Sequence, residues 1–322
     1  MKNKNIRIWI VIFLPLYLLG CSVSQVETLQ DSSQGKLKVV VTSTILMDLV
    51  TQIGGEEISL TGILQPGVDP HVYEPVPGDG RVLEMADLIV YNGYNLEPGI
   101  IKLMNSTGVK ARKLAVGEVI KPLKLKTHRG EIVPDPHVWG SVKNTITMVN
   151  TIRDTLVELS DKDRQKFTQN AAQLDKELEK LDDWIKQQIQ TIPPRNRKIV
   201  TSHDAFQYYA NAYGMEVVGT LIGISTEEKP SAKTVKELVD TIVRADIPTV
   251  FTETTINPEL MKIVAQEAGV ELSTNQLYSD SLGVRGSGAD SYIKMMKVNT
   301  KTIVAGLTRV SQATYYDSEV SP

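Results

Sequence analysis

Residues 162–191 read KDRQKFTQNAAQLDKELEKLDDWIKQQIQT. Phe167, Ala171, Leu174, Leu178, Leu181, Ile185 and Ile189 recur at spacings of three or four, which puts them on one stripe of an α-helix, with Lys, Asp, Glu and Gln on the opposite face. At 1.5 Å per residue such a helix is about 45 Å long. Pro193-Pro194 ends it, because proline has no amide hydrogen and clashes with the preceding turn. An apolar stripe is first of all a packing surface. Its length and its place in mid-chain add an expectation: this helix runs along both halves of the protein and connects them.

On either side the chain alternates apolar runs with helical patterns. Before the long helix, Val39-Val40-Val41, Leu60 to Leu64 and Leu88 to Tyr91 read as strands, Ile45 to Ile53 as a helix closed by Gly54-Gly55, and 141–158 as an amphipathic helix. After it, Lys198 to Ser202, Glu216 to Leu221, Thr249 to Thr252 and Val270 to Tyr278 read as strands. Helices are expected over Asp204 to Tyr213 (closed by Gly214), Thr234 to Arg244, from Asn257-Pro258 to Ala268 with Gly269 at its end, and Ser291 to Leu307. Strands alternating with helices imply parallel sheets covered on both faces. The expected fold is therefore α/β: two similar lobes, each a mostly parallel sheet flanked by helices, joined by one long linking helix. The expected boundaries are 37–161 for the first lobe, 162–192 for the link, 193–314 for the second lobe and 315–322 for a tail.

The length of 322 residues agrees with about two domains. A hydrophobic fraction of 41% and a charged fraction of 23% exclude wholesale disorder and a polytopic membrane protein. The net charge of −3 gives no basic surface for nucleic acid. One cysteine excludes an intramolecular disulfide and any cysteine-rich metal cluster. At the N-terminus, Lys2, Lys4 and Arg7 precede the apolar run Ile8 to Leu19, which is interrupted by Pro15 and too short to span a bilayer. Residues 1–20 are thus expected to be a secretory signal. Leu18-Leu19-Gly20-Cys21 resembles a bacterial lipobox, so Cys21 is the expected lipidation site, with an ordinary signal peptide as the plainer alternative. Residues 21–36, rich in Ser and Gln, read as a flexible tether.

With four histidines in the whole chain, each needs a role. His71 lies in Asp69-Pro70-His71-Val72, and the same four letters return as Asp135-Pro136-His137-Val138. Each proline keeps the residue before it extended, so both histidines are expected in stiff, non-helical loops. A lone loop histidine is ordinarily structural or solvated; the repetition argues for a shared role. His203 follows a strand and opens the next helix, and Asp280 follows the last strand, the places where open α/β sheets bind ligands. Singly, His203 could mark a helix cap and Asp280 a turn. Together, three imidazoles and one carboxylate from both lobes suit a first-row divalent metal held between them. His128, in Lys126-Thr127-His128-Arg129, has basic neighbours and reads as solvated loop. Asp69, Asp135 and Glu253 are candidates for orienting the imidazoles, though each could equally be a turn or strand-end residue.

At this point the sequence resembles the zinc/manganese-type metal-binding lipoproteins that serve ABC importers. The resemblance rests on the lipobox, the two Asp-Pro-His segments, Thr201 to Phe206, Tyr209, Tyr213-Gly214, Gly223 to Glu227, Phe251-Thr252-Glu253 and Leu277 to Asp280. It implies that His71, His137, His203 and Asp280 are the metal ligands, and that two α/β lobes are bridged by a single long helix. It also implies an exported, periplasmic or cell-surface lipoprotein, monomeric and not an enzyme, that hands its cargo to an ABC permease driven by a cytoplasmic ATPase. Manganese-dedicated members often carry Glu at the third ligand position, where this chain has His203, whereas zinc-dedicated members often carry a long His- and acid-rich loop, where Lys121 to Pro134 is short. The cargo thus stays open between Zn²⁺ and Mn²⁺. Two other classes fit three histidines: a secreted metallohydrolase, with Glu74 or Glu227 as base, and a metal-stabilised surface adhesin. No His-Glu-x-x-His pattern or nucleophile motif supports the hydrolase.

Overall fold

The computed structural model describes residues 35–106, 109–126 and 130–308. Cys21, His128, the 1–20 segment, most of the tether and the 315–322 tail lie outside them. The chain begins with β1 (Leu37–Val41), α1 (Thr44–Gly54), β2 (Ile58–Gly62), α2 (Pro77–Glu84), β3 (Leu88–Tyr91), α3 (Pro98–Ser106) and β4 (Arg112–Ala115). These strands form one parallel sheet in the order β2-β1-β3-β4. Successive residues of β1 face opposite sides of the sheet, and both sides are covered, so Val39, Val40 and Val41 are all apolar and buried. Val39 and Val41, with Leu88 and Val90, face a core shared with α1; Val40 and Ile89 face the other side, against Leu83 of α2 and Ile100 and Met104 of α3. A small antiparallel pair, β5 (Lys124–Lys126) and β6 (Ile132–Pro134), precedes α4 (Val142–Leu159).

The linking helix α5 runs over Arg164–Gln190, after a 3₁₀ turn at Asp161–Asp163, and spans about 40 Å. Its seven apolar stripe residues are all buried, and they are joined by Asp182. The stripe packs on α1 and α4 from the first half, and on α6 (Gln207–Tyr213) and α9 (Tyr292–Thr308) from the second. One continuous core therefore contains Leu49 of α1, Ile152 of α4, Leu178 of α5, Tyr209 of α6 and Ile303 of α9.

Between α5 and α6 lies β7 (Lys198–Thr201). The elements after α6 are β8 (Glu216–Thr220), α7 (Ala232–Arg244), β9 (Thr249–Val250), α8 (Glu259–Ala268) and β10 (Glu271–Leu272), and α9 closes the lobe. β7 pairs with β8 and β9 with β10, both parallel. The Phe251 amide donates to the Val200 carbonyl at 3.0 Å, joining the two pairs. Ile199 faces the core around α5, while Val200 faces Leu238 and Ile242 of α7 and Val264 of α8. Gly214 and Gly269 take the left-handed φ values of 71° and 67° that stop α6 and α8, as their positions in the sequence indicate.

The strand expected over Leu60 to Leu64 lies at Ile58–Gly62, the one expected over Thr249 to Thr252 ends at Val250, and two further elements differ more. The strand expected over Val270 to Tyr278 stops at Leu272. Ser273 turns back to hydrogen-bond the Asn275 carbonyl at 2.8 Å, as short hydroxyl side chains do in turns. Pairing resumes only as a bridge between Glu253 and Leu277. The helix expected from Asp204 begins at Gln207, because the preceding residues bend sharply: Thr201 Oγ1 donates to the His203 carbonyl, and the Asp204 amide donates to Gly223. Both departures lie next to residues singled out above.

Candidate metal centre

Four loops at the carboxyl ends of strands bring His71, His137, His203 and Asp280 together. Their donor atoms all lie within 4.8 Å of one another, and the side chains are 0–3% exposed. His71 Nε2 lies 3.2 Å from His137 Nε2 and 3.9 Å from Asp280 Oδ2; His137 Nε2 is 3.4 Å from Asp280 Oδ1, and His203 Nε2 is 3.1 Å from Asp280 Oδ2. A tetrahedral zinc ion with bonds of 2.0–2.1 Å sets its donors about 3.3–3.4 Å apart, so small side-chain adjustments bring this set to coordination.

Each donor is positioned by its own local chemistry. In the second Asp-Pro-His segment, Asp135 Oδ1 accepts from the His137 amide at 3.0 Å and pairs with its Nδ1 at 2.7 Å, turning Nε2 into the cluster. The Pro136 carbonyl accepts from Asn92 Nδ2 at 2.9 Å, and the Asp135 carbonyl accepts from the Tyr208 hydroxyl at 3.1 Å. In the first segment Asp69 Oδ1 takes only the His71 amide, at 2.9 Å, and its Oδ2 accepts from Thr226 of the second lobe at 2.6 Å. Glu253 holds His203 twice: Oε1 accepts from its amide at 2.9 Å, and Oε2 lies 2.5 Å from Nδ1 at ion-pair distance. The loop of Asp280 is clamped by Asn299 of α9, which exchanges 2.9 Å and 2.7 Å hydrogen bonds with the Tyr278 amide and carbonyl, and by Trp139, which donates to the Ser279 carbonyl at 3.0 Å.

Asp69, Asp135 and Glu253, named from the sequence, thus all touch a donor residue. Asn92, Trp139 and Asn299 were not singled out in these roles, because a side chain that bonds to a distant backbone leaves no local pattern. Glu97 was missed for the same reason. It is buried, accepts from the Asn92 amide at 2.7 Å and the Thr42 hydroxyl at 2.8 Å, and burial pushes its pKa up to about 7. Glu74 and Glu227, the bases a hydrolase would need, make no part of the donor set.

The electrostatics leave the cluster short of positive charge. Burial pushes the His71 imidazole down to about 3, so it is neutral at ordinary pH with a free lone pair. Burial opposes charge on His203 too, but the Glu253 and Asp280 carboxylates outweigh it and hold its pKa well above the usual imidazole value. Burial would likewise raise Asp280, yet the three imidazoles, His203 foremost, keep it well below the carboxylate range. Both oxygens of Asp280 and the Nε2 of His203 are buried without a hydrogen-bond partner. Leaving an ionised carboxylate in that condition costs several kcal/mol. Once His203 gives up its proton, three imidazole nitrogens with one hard anionic oxygen suit a divalent first-row cation, which would satisfy these atoms together.

Comparison with known proteins gives a consistent picture. Residues 39–306 match the family described as "Zinc-uptake complex component A periplasmic" (ZnuA). The manganese-binding lipoprotein MntA of Halalkalibacterium halodurans is 35% identical over 301 residues, covering 94% of this chain and 98% of that protein. The zinc-binding protein TroA of Treponema pallidum is 36% identical over 282 residues, covering 86% and 91%. The solved structure of periplasmic zinc-binding TroA from Treponema pallidum superposes with a TM-score of 0.79 at 34% identity, covering 85% of this chain and 99% of that one.

Proposed function

The chain belongs to the periplasmic zinc-uptake component A family, and from that premise we propose that it is the substrate-binding component of an ABC metal importer, capturing Zn²⁺ or Mn²⁺ between its lobes. One observation carries the reading: three imidazoles and a carboxylate from distant parts of the chain share a buried space the size of one coordination sphere, with orphaned atoms turned inward. We assign His71, His137, His203 and Asp280 as the ligands, with Asp135 and Glu253 fixing the orientation of two imidazoles. Four protein donors complete a tetrahedron and reserve no position for a reacting water, which favours carriage over hydrolysis. The names of the relatives divide between manganese and zinc. The nitrogen-rich set here gives zinc the tighter complex at equilibrium.

The reading extends to the rest of the chain. Residues 37–161 and 193–314 are the two lobes and 162–192 the link; because that link is a single packed helix, lobe movement is small. Residues 1–20 direct export, Cys21 carries the lipid, and residues 21–36 tether a monomer to the membrane beside its permease and ATPase. Calorimetric titration of the metal-free protein tests the reading. One Zn²⁺ or Mn²⁺ per chain, with zinc displacing manganese, is expected; an absence of binding by both ions would overturn it. Metal uptake by cells, without hydrolysis of ester or peptide substrates, separates the importer reading from a hydrolase.

A further inference from the structure

The two Asp-Pro-His-Val segments are alike in sequence and unlike in what their aspartates hold. Asp135 directs one oxygen to both the amide and the ring of its own histidine. Asp69 holds only the His71 amide, and its second oxygen crosses the cleft to Thr226 Oγ1, 157 residues away, at 2.6 Å. Thr226 lies between β8 and α7 in a segment without helix or strand. The root of that segment is fixed beside His203: the Ile222 amide donates to Ser202 at 2.9 Å, and Gly223 accepts from the Asp204 amide. Its tip makes a local turn, the Glu228 amide donating to Ser225. The segment therefore reaches from a donor of the second lobe to the residue two before a donor of the first.

Because the four donors are 0–3% exposed, a cation passes only if some cover moves. Other contacts between the lobes near the site hold the ligand loops themselves: Tyr208 donates to the Asp135 carbonyl in the His137 segment, and the rest bear on the Asp280 loop. Thr44 accepts from the Leu282 amide and meets the Ser281 hydroxyl, and Trp139 donates to Ser279. Breaking them displaces a ligand. The Asp69–Thr226 bond is only part-buried and touches no donor of the second lobe. Building on the metal-carrier reading above, we infer that residues 222–231 form a lid across the cleft and that the Asp69–Thr226 hydrogen bond is its catch, setting the rate at which the cation leaves.

Thr226→Val removes the hydroxyl and keeps the volume, whereas Thr226→Ser keeps the hydroxyl. With the full-length chain loaded with Zn²⁺ and mixed rapidly with excess chelator, Thr226→Val is expected to release the ion about tenfold faster or more, as loss of one hydrogen bond to a carboxylate implies. Thr226→Ser is expected to release it near the parent rate. Equal release from the parent and Thr226→Val overturns the catch. If the parent itself takes up no metal, the carrier reading fails, and hydrogen exchange of amides 222–231 in the metal-free chain still decides on the catch. Faster exchange in Thr226→Val than in Thr226→Ser supports it; equal exchange overturns it.

Discussion

His137 contributes a fully buried nitrogen whose other ring nitrogen is fixed by Asp135 at 2.7 Å. Loss of an outer partner of this kind typically costs 10–100-fold in metal affinity, and loss of a ligand costs more. Calorimetry is therefore expected to show His137→Ala weakened by more than about 100-fold. Asp135→Ala and Glu253→Gln should lie within about 10–100-fold, because they leave every donor in place. A second expectation concerns pH. In the metal-free site the Glu253 and Asp280 carboxylates raise the His203 pKa and so favour a proton on Nε2, the nitrogen that faces Asp280. A cation needs the Nε2 lone pair, so the proton facing Asp280 must leave. Apparent affinity should then fall by about tenfold per pH unit on acidification while one proton is displaced. Calorimetry in buffers of different ionisation enthalpy should count about one proton released per ion. At this scale the residues that cluster, His71, His137, His203 and Asp280, were legible because a four-letter segment occurs twice and because strand ends mark where ligands bind. What Asp69, Asp135 and Glu253 each do was not legible, since one aspartate of the repeat serves its own histidine and the other a residue in the opposite lobe.

The linking helix was the most legible element. Seven apolar residues at helical spacing leave few alternatives, and the structure buries all of them. Asp182, which adjoins that stripe and is also buried, escaped notice. It accepts from the Tyr213 hydroxyl at 3.0 Å and pairs with Lys186 at 2.6 Å, and the same hydroxyl accepts from the Val142 amide at the start of α4. One hydroxyl thus ties the link to elements that follow the His137 and His203 loops. Tyr213→Phe removes this tie and leaves a buried carboxylate with one partner fewer. Denaturant unfolding should show it about 1–3 kcal/mol less stable than the parent. The last strand was the least legible element. Residues 270–278 have strand-like composition, but Ser273 and Asn299 redirect the backbone through side-chain hydrogen bonds that periodicity does not encode.

For the molecule as a whole, the proposed donors run from 71 to 280 in the sequence, so a bound cation would close a long-range contact that the unfolded chain lacks. Ligand linkage then requires stabilisation of about 4 kcal/mol at a free metal concentration a thousand times Kd. In a thermal melt this should raise Tm by about 10 °C, and a chelator should reverse it. A chain whose melting ignores Zn²⁺ and Mn²⁺ alike would not be built around such a site. The two-lobe architecture was legible from alternation alone, but the convergence of four loops was not, because strand order and lobe packing fix distances that spacing along the chain does not. The direct measurement is anomalous diffraction at the zinc edge from protein loaded with one equivalent of Zn²⁺. A single strong peak is expected, bonded at about 2.0–2.2 Å to one nitrogen each of His71, His137 and His203 and an oxygen of Asp280. A peak elsewhere, or an ion held mainly by water with two or more of these side chains turned away, would contradict it.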